Sequence, residues 1–578
     1  MSFFTELRRR NVPRVALVYL AATWLIIQVA DVLFPVLQVP GWSLRLLVGL
    51  LALGFPVALI LAWAFEITPD GIQRDEDQHS SVPTNSTKRK RLDYIIVGVL
   101  LAAVIFMLVD NYIWTSDSES TPATSTNAIA VLPMQLLNAD SGDDYLADGM
   151  TMSLITELSK IQSLRVISLT STQRYRDSDL PLPEIAKALN VGAIIEGTVL
   201  SSGDQVRINA SLVPADSDSA VWSQAYDKDL GDVLAMHSEI AIAIAMQVQI
   251  ALTDEDEARL VAPAAVDPEV QRLLLEGQHK LRVSEGADGL QLIEGATLLA
   301  PDYAPAWVAL ARAYLSYTNE DPQFLQRARA AANRAITLDD TGSDAHYVVG
   351  VIALYRDWDW KLAKESLHRA LELNPGNEYA LQVLGDYYEM IGQWPKSIEL
   401  GIESTLSNPT SAMMRMNLGL TYNYSGQEQK GIETCEIGKS LPEPGQWLSI
   451  CIAEAHALLG NEKEAVIAIE EAISGPNTED AVYGLAAAYF GLVGQPDRAA
   501  DIYRELSEDA HSRYVSPNFI GYAAFGAGDD DTFFAYINQA IDEKSTFTPW
   551  VANVPHFARL HGDPRFAAVV ERLNLPEK

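Results

Sequence analysis

The stretch LQVLGDYYEMIGQWPKSIELGIESTLSNP, residues 381–409, decides the fold. It carries Gly392 between two apolar runs, and a glycine returns every 34 residues after it, at Gly426, Gly460, Gly494 and Gly528. A repeat of that length marks stacked helical hairpins, none of which buries its apolar face alone. Seven residues before each glycine stand Gly385, Gly419, Ala453, Ala487 and Gly521, and twelve after those stand Ser397, Gly431, Ala465, Ala499 and Phe533. Small side chains at both places predict two helices in close contact. The recurring glycine suits the left-handed end of the first helix, where the absence of Cβ removes the steric penalty. Phe533 departs from the small-residue rule.

This pattern resembles the tetratricopeptide repeat, whose Trp/Leu, Leu, Tyr and Pro positions correspond to Leu381, Leu384, Tyr388 and Pro409, and in another copy to Trp307, Leu310 and Tyr314. The resemblance implies about eight repeats over 266–548, with a helical cap at 549–578. In the copy at 345–375 the turn Asp357-Trp358-Asp359 is one residue longer than the pattern. The resemblance further implies a concave groove of first helices that accepts an extended peptide or a helix. Its groove positions fall on Arg312, Tyr347, Tyr379, Gln382, Asp386, Glu389, Met416, Asn423 and Glu454, making a polar, partly acidic surface.

Ahead of the repeats, residues 128–255 read as a mixed α/β domain. The apolar run 128–137 predicts a strand buried on both faces. Leu146, Met150, Leu154 and Leu158 predict a helix over 144–161. Further strands are expected at 164–169, 193–200, 206–213 and 220–226, with helices at 183–190 and 232–253. The segments IAVLPM (129–134), ADGM (147–150), VISLTST (166–172) and IAKALNVGAIIEGTV (185–199) resemble the TolB N-terminal-like, or FlgO-like, domain of bacterial proteins that are sometimes fused to adenylate cyclase or winged-helix domains. Asp148 and Gly149 match that family's DG pair and are read as turn or packing residues.

Three apolar runs, 15–37, 44–66 and 94–114, are long enough to cross a bilayer, which takes about 20 residues. They predict a 1–114 membrane region of three transmembrane helices with a disordered cytoplasmic loop at 68–93. A linker follows at 115–127. Arg8, Arg9, Arg10 and Arg14 before the first run, and Lys88, Arg89, Lys90 and Arg91 before the third, place the N-terminus in the cytoplasm. The remainder is then expected in the periplasm, anchored in the inner membrane. Asp31, inside the first run, is read as an interfacial or capping residue.

With 42 Lys and Arg against 76 Asp and Glu the net charge is −34, which argues against a nucleic-acid partner. The sequence lacks HExxH, GxSxG and GxGxxG, and its nine histidines are scattered, so no cofactor or metal is expected. Gly438-Lys439-Ser440 lacks the upstream glycine of a phosphate loop and belongs to a repeat helix. Cys435, on a second helix, and Cys451, on the next first helix, flank a repeat junction that leaves open whether they face each other, and two buried thiols are favoured over a disulfide. The reading is a membrane-anchored α/β plus all-α protein, non-enzymatic, that recruits a protein or peptide partner through its groove. The alternative is a signalling component acting on a separate cyclase or regulator.

Overall fold

The computed structural model describes residues 65–68, 71–74 and 127–576, apart from 138–143, 262–264, 284–285, 318–322, 443 and 476, together with isolated helical positions between 19 and 55. The chain divides into two compact units, Met1–Ser118 and Glu119–Lys578.

In the first unit, strands β1 (Phe65–Thr68) and β2 (Gly71–Arg74) form an antiparallel hairpin pairing Glu66 with Gln73. The expectation of three transmembrane helices is overturned. Among the described residues no helix is long and apolar enough to cross a membrane. Apolar length did not decide the structure at the end of the second run, because Phe65 and Glu66 pair as a strand. The same hairpin replaces the start of the expected disordered loop. Most of 15–37 and 44–66, all of 94–114, Asp31 and the linker before Asn127 lie outside the described residues.

The second unit opens with a five-strand path β5-β3-β6-β7-β8, with β4 pairing on β6. These strands are β3 (Ala128–Val131), β4 (Gln135–Leu136), β5 (Arg165–Ile167), β6 (Ala193–Ser202), β7 (Gln205–Pro214) and β8 (Trp222–Asp229). The first three run parallel to their neighbours; β6, β7 and β8 are antiparallel. The expected single strand at 128–137 is two, because Pro133 has no N–H to continue the ladder.

Helices α1 (Asp144–Ser159) and α4 (Val233–Gln247) cover one sheet face through Met150, Leu154, Met236 and Ile240. Helix α3 (Leu182–Leu189) covers the other with Ile185 and Leu189. Burial on both sides explains the unbroken apolar run of β3. The short helix α2 (Leu169–Gln173), capped by Ser168, was not expected. The expected long helix at 232–253 ends at Gln247, where Gln249 takes a positive φ of 59°, and a separate helix α5 (Asp254–Arg259) starts on a Thr253–Asp256 capping box.

Eight antiparallel helix pairs follow among the described residues. They are α6 (Pro268–Arg282) with α7 (Gly286–Leu299), α8 (Ala304–Ser316) with α9 (Gln323–Leu338), α10 (Ser343–Ile352) with α11 (Trp360–Leu373), and α12 (Glu378–Met390) with α13 (Trp394–Ser407). Then come α14 (Ala412–Tyr424) with α15 (Glu428–Lys439), α16 (Gly445–Leu458) with α17 (Glu462–Ile473), α18 (Asp480–Leu492) with α19 (Pro496–Asp509), and α20 (Pro517–Gly526) with α21 (Asp530–Asp542). The glycines that set the period have φ of 70°, 77°, 76°, 73° and 83°, a conformation that leaves the first helix with little strain only without a Cβ. The extra residue near Trp358 is absorbed by a π-helical turn, Ala353–Asp357.

The α/β domain is bonded to the loop edge of the array. Ser168 N–H donates to Ser407 O at 2.9 Å, Arg165 Nη1 to Leu406 O at 2.6 Å and Arg259 Nη1 to Glu372 O at 3.2 Å. Gly149 lies against Leu275 of α6 so closely that a Cβ would come within 2.5 Å of it. Asp148, 5% exposed, holds Arg176 and His279, the latter at 3.0 Å. The DG pair is therefore a packing joint between domain and array.

Candidate partner groove

First helices of successive pairs present their side chains to one concave face, and this face falls into two halves. In the first half, Arg312 of α8 donates to Asp344 of α10 at 2.7 Å while its guanidinium lies 4.9 Å from the centre of the Tyr379 ring on α12. Tyr347 of α10 sits 6.0 Å from Tyr379, ring to ring. Gln382 and Asp386 continue the same face of α12, and Asp386 accepts from Tyr355, which the π-turn carries into the groove. Arg312, Tyr347, Tyr379, Gln382 and Asp386 are all half-buried.

The second half is filled by the chain itself. After α21, two turns of 3-10 helix, Thr548–Ala552 and Pro555–Leu560, run along α12, α16, α18 and α20 before the last helix, α22 (Pro564–Leu573). Trp550 Nε1 donates to Glu389 Oε2 at 2.9 Å, and Asn553 Nδ2 to Met390 O at 2.7 Å. His556 Nδ1 lies 2.8 Å from Glu454 Oε1. Phe557, fully buried, meets the rings of Phe525 at 4.9 Å and Tyr522 at 5.1 Å. Of the expected groove residues, Glu389, Asn423 and Glu454 are thus buried beneath or beside this segment, at 6%, 0% and 0% exposure. Asn423 Nδ2 donates to Cys451 O at 2.9 Å, and Met416 packs against the apolar core of this half. The segment expected to be only an end cap also plugs the groove.

Burial raises the carboxyls on α12. Glu378 is pushed up to about 7 by desolvation, against which Asn408 and Arg312 act. Asp386 and Glu389 are both raised by desolvation, Glu389 further because Asp386 is its neighbour. Sequence reasoning missed Asp344, Tyr355, Glu378, Trp550 and His556. Asp344 stands three residues before Tyr347, one helical turn away, and was legible in principle; Trp550 and His556 follow the last repeat and obey no period.

Cys435 of α15 and Cys451 of α16 form a disulfide with their Cα atoms 6.5 Å apart, so the bridge ranks above the two thiols favoured from sequence. Gly419 of α14 makes room for it: a Cβ there would lie 2.2 Å from Cys435 Sγ. Lys439, from the tripeptide that resembled a phosphate loop, instead binds Glu471 at 2.6 Å.

No family model matches the chain. A protein of Rhizobium meliloti (strain 1021) named "Putative adenylate cyclase 3" is 27% identical over 239 residues, and the match spans 40% of this chain and 40% of that protein's length. Similar solved structures include Pseudomonas aeruginosa PilF (18% identity, 36% of this chain and 93% of that one, TM-score 0.30) and YrrB, a tetratricopeptide repeat protein with an unusual peptide-binding site (20%, 30% and 88%, 0.24). A tetratricopeptide repeat protein of Parabacteroides merdae gives 13% identity over 46% of this chain and 98% of that one, with TM-score 0.33. At such scores the repeat architecture of this chain rests on its own helices and their period.

Proposed function

We propose that the chain is a non-enzymatic scaffold that docks a protein or peptide partner in the first half of its concave groove. The observation that carries this reading is the half-buried row Arg312, Tyr347, Tyr379, Gln382 and Asp386 on three adjacent first helices, bounded by a half that the chain has already filled. Stacked repeats hold such a face rigid, so little ordering entropy opposes docking. The Cys435–Cys451 disulfide supports residence in an oxidising compartment such as the periplasm. A photocrosslinker at Gln382 tests the docking: it should capture a discrete partner that the same group at Glu433, exposed on an outer helix, does not. Equal capture at both positions would contradict the reading.

The likeness to the cyclase-named protein favours a second reading, in which the chain is a component of cyclase signalling. Cyclic AMP formed by the purified chain from ATP and magnesium would support an enzyme over a scaffold; none is expected.

A further inference from the structure

We propose that the open half of the groove takes an extended polypeptide segment bearing arginine or lysine, and that Trp550 sets where that segment stops. This rests on the docking reading and names the partner's chemistry. Three observations carry it.

The first is charge. In the open half the carboxyls of Asp344 on α10 and of Glu378 and Asp386 on α12 stand against the Arg312 guanidinium, which is already paired with Asp344. The second is the ring surface. Tyr379 already carries the Arg312 guanidinium at 4.9 Å, Tyr347 lies beside it, and Tyr355 stacks on Trp550 at 6.4 Å and 17°, so a cation entering here meets aromatic faces.

The third is the plug, which shows what the groove accepts. In the filled half each buried carboxyl is met by a ring that brings a nitrogen: the Trp550 indole on Glu389 and the His556 imidazole on Glu454. Arginine combines a flat π-surface with N–H donors and would answer Asp386 and Glu378 as those rings answer Glu389 and Glu454. Because residues 548–560 occupy the face beyond Asp386, a bound segment cannot continue past Trp550.

The raised carboxyls supply a signature. A cation that ionises Glu378, raised to about 7 and so about half protonated at pH 7, must release part of a proton, whereas Asp386, raised to about 6, is already mostly ionised there and ordinary surface acids release none. The facing groups that tune this response are Arg312, Asp344, Tyr347, Tyr355 and Tyr379, with Glu389 next along α12 and Asn408 and Ser168 beside Glu378.

The test is calorimetry of the full chain at pH 7 with three twelve-residue peptides of alternating alanine and arginine, glutamate or glutamine, each in buffers of different ionisation enthalpy. The arginine peptide should bind one to one with proton release, and Tyr379→Ala combined with Asp386→Asn should weaken it by about tenfold or more. Glu433→Gln with Glu470→Gln on outer helices should change nothing. Amide exchange of the unaltered chain, which needs no variant to fold, should show protection by the peptide on α8, α10 and α12. Binding without proton release, or protection on outer helices, overturns the proposal. Binding of the glutamate or glutamine peptide that the groove variants abolish overturns the basic partner while leaving a docking groove. Failure of all three peptides also overturns the basic partner, and the docking reading then stands or falls on the Gln382 crosslink.

Discussion

The two halves of the concave face are built from the same repeat and carry the same kinds of side chain, yet one is open and the other closed by its own chain. In the open half the carboxyl of Asp344 pairs with Arg312, a partly exposed cation. In the closed half Glu389 and Glu454 are dry, and Trp550 and His556 of residues 548–560 reach them alongside Ser397, Thr421 and Asn423 of the repeats. A repeat array therefore does not make a groove by stacking alone; the segment beyond the last repeat decides how much of the face remains for a partner.

The sharpest way to break this contrast is Phe557→Ala. Removing a fully buried ring from the cluster with Tyr522, Phe525 and Phe533 should cost about 3–5 kcal/mol in denaturant unfolding, and a loss below about 1 kcal/mol would mean that the plug is not part of the core. Reduction of Cys435–Cys451, which spans 16 residues within the closed half, should lower stability by about 3 kcal/mol on the chain-entropy model. Measured by chemical denaturation with and without reductant, an unchanged midpoint would remove the bridge from the account.

Titration sharpens the contrast between the groove and the α/β domain. Glu378, whose folded value of about 7 exceeds its ordinary 4.5, gives stability that is present below pH 4.5 and lost as pH rises to about 7. Buried His237 on α4, whose ring nitrogens meet no partner, is held down to about 3, so its contribution is present above pH 6.5 and lost as pH falls toward 3. Thermal midpoints against pH should flatten on the alkaline side in Glu378→Gln and on the acid side in His237→Phe; unchanged profiles would contradict both assignments. The smallest effect belongs to the open half: Arg312→Gln should cost under about 1 kcal/mol of stability, since a partly exposed ion pair contributes little. A larger loss in unfolding would make Arg312 a structural residue instead of a docking one.

The repeats were legible because one backbone requirement, a left-handed glycine, recurs at fixed spacing from Gly392 to Gly528. The groove positions came from the resemblance to the tetratricopeptide repeat, and Arg312, Tyr347 and Tyr379 stand near one another on three successive first helices. The plug was not legible: Pro549 and Pro555 break any helical pattern, and nothing local to Trp550 or His556 names Glu389 or Glu454, 161 and 102 residues away, as their partners. The strand at 128–137 was overextended because apolar character outweighed Pro133, and the apolar run ending at Glu66 was read as helix where pairing with β2 imposes a strand.

Amide exchange of the intact chain without any ligand tests the central claim most directly. The account predicts that residues 548–560 exchange as slowly as α18, whose Tyr489 packs on His556 at 5.5 Å. Fast exchange of 548–560 over a slowly exchanging α18 would show that the second half of the groove is open, and the division of the face into a docking half and a sealed half would fail.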